Sequence, residues 1–403
     1  MVAMTQDRGS AATWALAAAQ LISWGTTYYA FSLFVEPMEQ ACGWSRTSTN
    51  AALSIGLLVS GLASYPVGAW IDRGYGRAVM AAGSVLASAM LALWSQAQSL
   101  ATLFVVWAVL GAAMAATLYD PVFAVVTRRY PDSFRTRITL ITLVGGFAST
   151  TFIPLTQVLI DLQGWRHALL ILAAINLCIC LPVHALALNK DDDGRLAVKH
   201  RASIKRASAG ATRRVLRTPV FRALAVCFTA YYATFVALTF HLVPLMTERR
   251  VPQSVILATM AVIGPAQVFA RIVWFMAGKR VSPKIVGLAI TAAFPVSVVV
   301  LLFAGTSPVL LILFALVYGG ANGMMTILRG TIVQEVISVE GYGAINGMLA
   351  TPSNIAKGIA PLSAATIWTV ERSYVPVEWL VLFVSLVAMA AFGIAMLYAQ
   401  RTA

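Results

Sequence analysis

Apolar residues in this chain come in blocks of about twenty, and that feature restricts it to very few folds. A bilayer's hydrocarbon core is about 30 Å thick, which a helix crosses in about 20 residues. Inside lipid every backbone N–H and C=O must find a partner within the protein, which leaves helices or closed barrels. Barrel strands alternate lipid-facing and lumen-facing residues. These blocks do not alternate, so they are read as helices. The pattern predicts spans at 13–35, 50–70, 78–96, 101–126, 137–160, 166–188, 220–246, 254–277, 283–304, 308–332, 343–367 and 377–400. Of the 403 residues, 59% are hydrophobic and 11% charged. A soluble domain carries about 25% charged residues, so a water-soluble fold is excluded. The first block ends at Glu36-Pro37 without a small-residue cleavage pattern and reads as a true first span, not a signal peptide.

The largest gap, 189–219, is rich in Lys, Arg, Ser and Asp and splits the chain into six spans plus six. The expected fold is an all-α membrane protein of twelve transmembrane helices in two six-helix, pseudo-symmetric bundles. Residues 1–188 form the first bundle, 189–219 a cytoplasmic basic linker and 220–403 the second. Gly43-Trp44-Ser45-Arg46 before span 2, Gly164-Trp165-Arg166 before span 6 and Glu378-Trp379 before span 12 carry the weak internal symmetry that such nested repeats leave.

The formal net charge of +14 would suggest nucleic acid in a soluble protein. Here the cations fill the gaps between apolar blocks, so they are read as topology. With both termini in the cytoplasm, 22 of the 29 Lys and Arg residues fall on the cytoplasmic side and five outside. That asymmetry orients the chain. The two left over, Arg271 and Lys357, lie within spans. Cys42, Cys178, Cys180 and Cys227 are scattered; Cys178 and Cys180 point apart on one helix, so packing roles are expected, with no metal and no cofactor.

The loop after span 2 reads Gly68-Ala69-Trp70-Ile71-Asp72-Arg73-Gly74-Tyr75-Gly76-Arg77. It resembles the Gly-x-x-x-Asp-Arg-x-Gly-x-Arg signature of the major facilitator superfamily. Gly68 would let two helices approach, Asp72 would accept hydrogen bonds from a helix N-terminus, and Arg73 and Arg77 would anchor the turn at headgroups. The resemblance implies a gating loop formed by Gly68, Asp72, Arg73, Gly76 and Arg77. Further motifs are similar to the monocarboxylate-porter and oxalate–formate antiporter branch. They are Gly43-Trp44-Ser45-Arg46, Tyr119 and Pro121, Pro154 with Gly164-Trp165-Arg166, His241-Leu242-Val243-Pro244, and Arg271 in span 8. The branch implies that Arg271 meets a substrate carboxylate, with Lys357 in span 11 as in the oxalate antiporters. Three features depart from it. Gln267 stands where an aspartate precedes the arginine, Trp24-Gly25-Thr26-Thr27 replaces the acidic glycine motif, and Trp274 and Gly278 replace the second-half signature.

An ionisable residue inside a span costs roughly 2.5–3.5 kcal/mol on insertion scales and so marks a functional candidate. Arg271 shares a helix face with Gly264 and Gln267, and its fork of donors suits a carboxylate. Lys357 shares one with Ser353, Asn354 and Pro361. Asp120, between Tyr119 and Pro121, is the candidate counter-ion or proton carrier, with a structural brace to Arg128 or Arg129 as its rival role. Gln20, Trp24 and Tyr28 line one face of span 1; Tyr231, Thr234 and His241 line one face of span 7. Expected substrate contacts are therefore Arg271, Lys357, Tyr28, Gln267, Asn354, Tyr119 and Tyr231. Glycine-rich faces such as Gly111-Ala112-Ala113 and Gly319-Gly320 are expected at close helix contacts.

Two cations against one aspartate leave a net positive charge within the spans. The leading expectation is a monomeric secondary transporter for a small organic anion, a monocarboxylate or short dicarboxylate, working by alternating access as proton symport or anion exchange. Its partners would be that anion, the proton and membrane lipid, in a bacterial-type inner membrane; nucleic acid is not among them. The rival is an efflux antiporter for amphiphilic or toxic compounds, but span 5 sets Gly145-Gly146 and Pro154 at the wrong spacing for the exporter motif. Phosphate loops, metal clusters and nucleophile–base pairs are missing from the sequence, which argues against an enzyme.

Overall fold

A computed structural model describes residues 2–188, 214–277, 282–337 and 341–401. Most of the expected linker, 189–213, lies outside the described residues, as do Gly278, Lys279 and Arg280. The described residues form twelve helical stretches, consistent with the expected count. They are α1 (Val2–Trp24, continued by Gly25–Tyr29 and Phe31–Cys42), α2 (Arg46–Trp70), α3 (Gly76–Ser95) and α4 (Leu100–Thr117 and Tyr119–Arg129). Next, α5 runs from Phe134–Gly145 into Ala148–Ile175, and α6 starts within that run after Gly164, whose φ of 76° is not helical, continuing to Leu186. Then follow α7 (Pro219–Glu248), α8 (Gln253–Ala277), α9 (Pro283–Ala304), α10 (Pro308–Val336), α11 (Tyr342–Glu371) and α12 (Val375–Arg401). Among the described residues, eight helical segments are apolar and long enough to cross a bilayer, and two of these, Thr47–Ser95 and Phe134–Leu186, are long enough to cross twice. Leu62, Leu162, Phe303, Val309, Val370 and Phe383 are all more than 60% exposed, an apolar exterior suited to lipid rather than water.

Two compact units emerge: Met1–Thr212 with Val339–Thr351, and Arg213–Ser338 with Pro352–Ala403. In the first unit, Phe31, Phe34, Trp94 and Trp107 pack together with centroids 4.8–5.9 Å apart, mostly edge to face. The α2–α4 crossing is close because Gly111 lies against the carbonyl of Gly56. The first residues of α11 belong to this unit.

In the second unit α8 and α10 cross closely, backbone against backbone. A Cβ at Gly323 would meet the backbone of Gln267, and one at Gly319 would lie 2.5 Å from the carbonyl oxygen of Ile263. Backbone against backbone cannot relax by a rotamer change, so side chains here force the helices apart. A Gly323→Leu protein should lose roughly 2–3 kcal/mol of stability, read as a lowered thermal midpoint in detergent; an unchanged midpoint would show that the contact is not tight. Gly320, beside it, meets only the Ala270 Cβ at 3.8 Å, so the contact runs along the Gly319–Gly323 stripe.

Prolines interrupt several helices. Pro121 cannot donate to the carbonyl four residues back, and α4 breaks at Leu118, whose ψ is −160°. The orphaned Thr117 carbonyl accepts instead from Gln20 Nε2 at 2.6 Å. Gln20 is fully buried and so repairs a helix break. Pro352 and Pro361 remove two donors from α11 in the same way, one on each side of Lys357.

Candidate substrate-binding and gating residues

The Asp72 turn is built by Gly74, whose φ of 94° only glycine adopts without strain. Asp72 Oδ1 accepts from the Gly343 N–H at 2.9 Å, and Oδ2 from the Ala344 N–H at 2.7 Å. These are among the first N–H groups of α11, which have no partner within the helix and where the helix dipole favours a carboxylate. Arg128 Nη1 donates to the carbonyls of Ile71 and Asp72 at 2.5 and 2.6 Å, closing the turn from α4. Gly68 lies directly against the Gly343 carbonyl, and Gly76 against Val125. Arg73 is exposed at the turn and Arg77 half-buried.

Along α11 the same unit continues. Asn346 Nδ2 donates to Asp120 Oδ1 at 3.2 Å, and Thr351 Oγ1 to the Gly61 carbonyl at 2.8 Å. Asp120 stands in the first turn of Tyr119–Arg129, where the break at Leu118 creates a helix N-terminus inside the apolar stretch. Beside it, Trp24 meets Tyr28 at 5.3 Å and Tyr119 at 5.0 Å, and Tyr119 stacks on Phe123. Tyr28 and Tyr119 are thus brought together, both half-buried.

In the second unit Arg271 is 5% exposed and its Nε donates to the Gly323 carbonyl at 3.0 Å. The missing side chain at Gly323 makes that approach possible. One turn earlier, Gln267 Oε1 accepts from Asn322 Nδ2 at 3.2 Å. Lys357 is half-buried; its Nζ donates to Asn354 Oδ1 at 3.1 Å and sits 4.1 Å from the ring centroid of Tyr232. Tyr231 is elsewhere: it is 1% exposed and packs on Phe294 in the helix core at 4.7 Å. The ring that meets Lys357 belongs to its neighbour, Tyr232. Arg329, counted among the cytoplasmic cations from sequence, is 6% exposed within α10, 5.6 Å from the same Tyr232 ring.

At the far end of α7, His241 Nε2 donates to the Pro361 carbonyl at 2.9 Å, and its Nδ1 lies 3.1 Å from the Tyr374 hydroxyl. Burial, and then the nearby Glu248 carboxylate, raise the Tyr374 phenol above its usual range. The phenol therefore keeps its proton. Glu248 accepts from Trp368 Nε1 at 2.7 Å and from the Tyr374 N–H at 2.9 Å. Arg249 holds Glu378 through Nη2, 2.7 and 2.6 Å from its two oxygens, and the Leu301 carbonyl through Nη1 at 2.7 Å.

Long apolar helices with ionisable groups buried among them define a polytopic membrane transport protein. Residues 16–361 match the family model of the Major Facilitator Superfamily, and the chain belongs to that family of transporters; it is not an enzyme. Among its relatives is rat monocarboxylate transporter 13, 25% identical over 352 residues, or 82% of this chain and 77% of the rat protein. The fold is similar to that of the E. coli fucose:proton symporter, with a TM-score of 0.70 and 15% identity, covering 96% of this chain and 98% of that one. The human organic anion transporter TETRAN gives a TM-score of 0.69 at 16% identity, covering 96% and 99%.

Proposed function

We propose that the protein carries a small organic anion, a monocarboxylate or short dicarboxylate, across a bacterial-type inner membrane with both termini in the cytoplasm, as proton symport or anion exchange. The observation that carries this reading is Lys357, an ammonium held midway along an apolar helix by Asn354 and the face of Tyr232. Ionisable groups inside spans mark substrate pathways, and an ammonium there attracts a carboxylate. Arg271 adds a second buried donor on α8, pre-set by the Gly323 carbonyl. The rat relative's name is consistent with a carboxylate cargo. Asp120, with Asn346 as its donor, supplies the counter-charge or the exchangeable proton, and the Asp72 turn serves as the gating latch.

Purified protein in liposomes should accumulate labelled carboxylate, and Arg271→Ala and Lys357→Ala should each cut the initial rate about 100-fold, the loss of roughly 2.7 kcal/mol of binding. Normal uptake in both variants would refute the assignment. Transport restricted to apolar cations would favour the efflux reading, for which the Trp24–Tyr28–Tyr119 cluster would be the binding surface.

A further inference from the structure

Midway along α1 the helix widens. Gly25–Tyr29 form a π-type turn, closed by the Ala30 N–H, which donates five residues back to the Gly25 carbonyl at 3.0 Å. Such a turn closes around one residue more than an α turn, which rotates the side chains beyond it by about 100° around the axis. Tyr28 sits in this turn, with its ring 5.3 Å from that of Trp24. Whether the turn is wide or regular therefore decides which way Tyr28 faces. A second wide turn, Asn176–Cys180, lies in α6, and a hydrogen bond joins the two: Asn176 Nδ2 donates to Thr26 Oγ1 at 2.9 Å. Thr26 gives its own hydroxyl hydrogen to the Ile22 carbonyl at 2.9 Å, so towards Asn176 its oxygen acts as acceptor. The other end of the amide, Oδ1, accepts from Ser88 Oγ of α3 at 3.3 Å.

We propose that Asn176 is a positioning residue for the substrate: through Thr26 it holds the wide turn of α1 and so sets the aim of Tyr28. Wide turns are rare in helices and are found mostly at functional sites. The Thr26 and Thr27 hydroxyls bond back to the Ile22 and Ser23 carbonyls at 2.9 and 2.6 Å, a pattern that bends a helix rather than straightening it. The turn therefore depends on neighbours. Phe152 of α5 packs directly on Gly25, and the Asn176 amide ties Thr26 to α6 and, through Ser88, to α3. Thr26 is fully buried and Asn176 1% exposed, so these bonds form where water does not compete and their geometry is firm. The same burial keeps Asn176 out of reach of a ligand. It acts on the substrate through the backbone that carries Tyr28.

The inference rests on anion transport with Tyr28 as a substrate contact, and its test separates the two. Counterflow of labelled lactate and oxalate into liposomes is measured for wild type and variants. Tyr28→Ala, Asn176→Leu and Thr26→Val should each raise KM about tenfold with kcat within twofold of wild type. Thr26→Ser, which keeps the oxygen, should recover most of the wild-type KM. Replacing both partners by apolar groups of similar size leaves neither with a buried, unpaired polar atom. The Asn176→Leu/Thr26→Val double variant should therefore regain most of the thermal midpoint lost by the single variants while its KM stays raised. A KM that recovers along with the midpoint would make the amide a structural tie and overturn the inference. Asn176→Leu/Tyr28→Ala should be no worse than Tyr28→Ala, because both changes remove one contact; additive losses would also overturn it. If Tyr28→Ala raises KM and Asn176→Leu does not, the inference fails and the Tyr28 reading stands. If Tyr28→Ala leaves KM unchanged, or wild type carries neither anion, both fail. Should Asn176→Leu not fold, Thr26→Val takes its place in the comparison with Tyr28→Ala.

Discussion

An Asp72→Ala protein is expected to lose the hydrogen-exchange protection of the Gly343 and Ala344 amides by about a hundredfold. Each of those N–H groups donates to one oxygen of the Asp72 carboxylate. A hydrogen bond to a charged partner contributes about 1.5–3 kcal/mol, so losing both removes at least ~3 kcal/mol, and each 1.4 kcal/mol is a factor of ten. The first amides of a helix have no carbonyl within the helix to fall back on. Asp72→Asn keeps an acceptor oxygen without the charge and should show a smaller increase, about tenfold. Exchange mass spectrometry on peptides covering 341–350 reads the effect, and carboxylate counterflow by the same variants reports whether the latch gates transport. Unchanged exchange in Asp72→Ala would mean that the α11 start is held by its close contact at Gly68 instead.

Glu378→Ala should lower stability by about 3 kcal/mol. Glu378 is 1% exposed and binds Arg249 through both oxygens. Removing one member of a buried pair leaves the other charge uncompensated and costs about 3–5 kcal/mol. The Arg249 side chain is 19% exposed, so water offsets part of that cost and the lower end applies. Replacing both residues by leucine should recover most of the loss, because a buried ion pair repays little more than its own desolvation. Thermal midpoints in detergent for the two single variants and the double variant provide the comparison. A double variant as unstable as the singles would show that the bond from Arg249 to the Leu301 carbonyl carries the stability.

Much of the fold was legible because one physical demand, pairing the backbone inside lipid, governs every apolar block. The Asp72 turn was legible too, since its spacing of glycines, acid and arginines has a local geometric cause. What escaped were relations between segments far apart in the chain. The break at Leu118 lies inside an apolar stretch that reads as continuous, and the donor that makes it tolerable, Gln20, comes from α1. Gln20 therefore reads as a polar site residue when its partner is a stranded carbonyl. Tyr231 and Tyr232 differ by about 100° around a helix, finer than an apolar pattern resolves, and only the position of α11 shows that Tyr232 meets Lys357. Arg329 falls near the end of its apolar block, where an arginine reads as topology; its burial depends on the packing of α7 against a later helix. Likewise, no sequence break marks 339–351 as belonging with the first unit.

Lys357 lies between Pro352 and Pro361, and each proline leaves one turn of α11 without its usual bond. One end of the helix is pinned by the Asp72 carboxylate, and Pro361 itself is held through its carbonyl by His241. The stretch between the prolines is therefore a short rigid link with a weak joint at either end. Lys357 thus rides on the part of α11 that two missing backbone bonds leave easiest to bend.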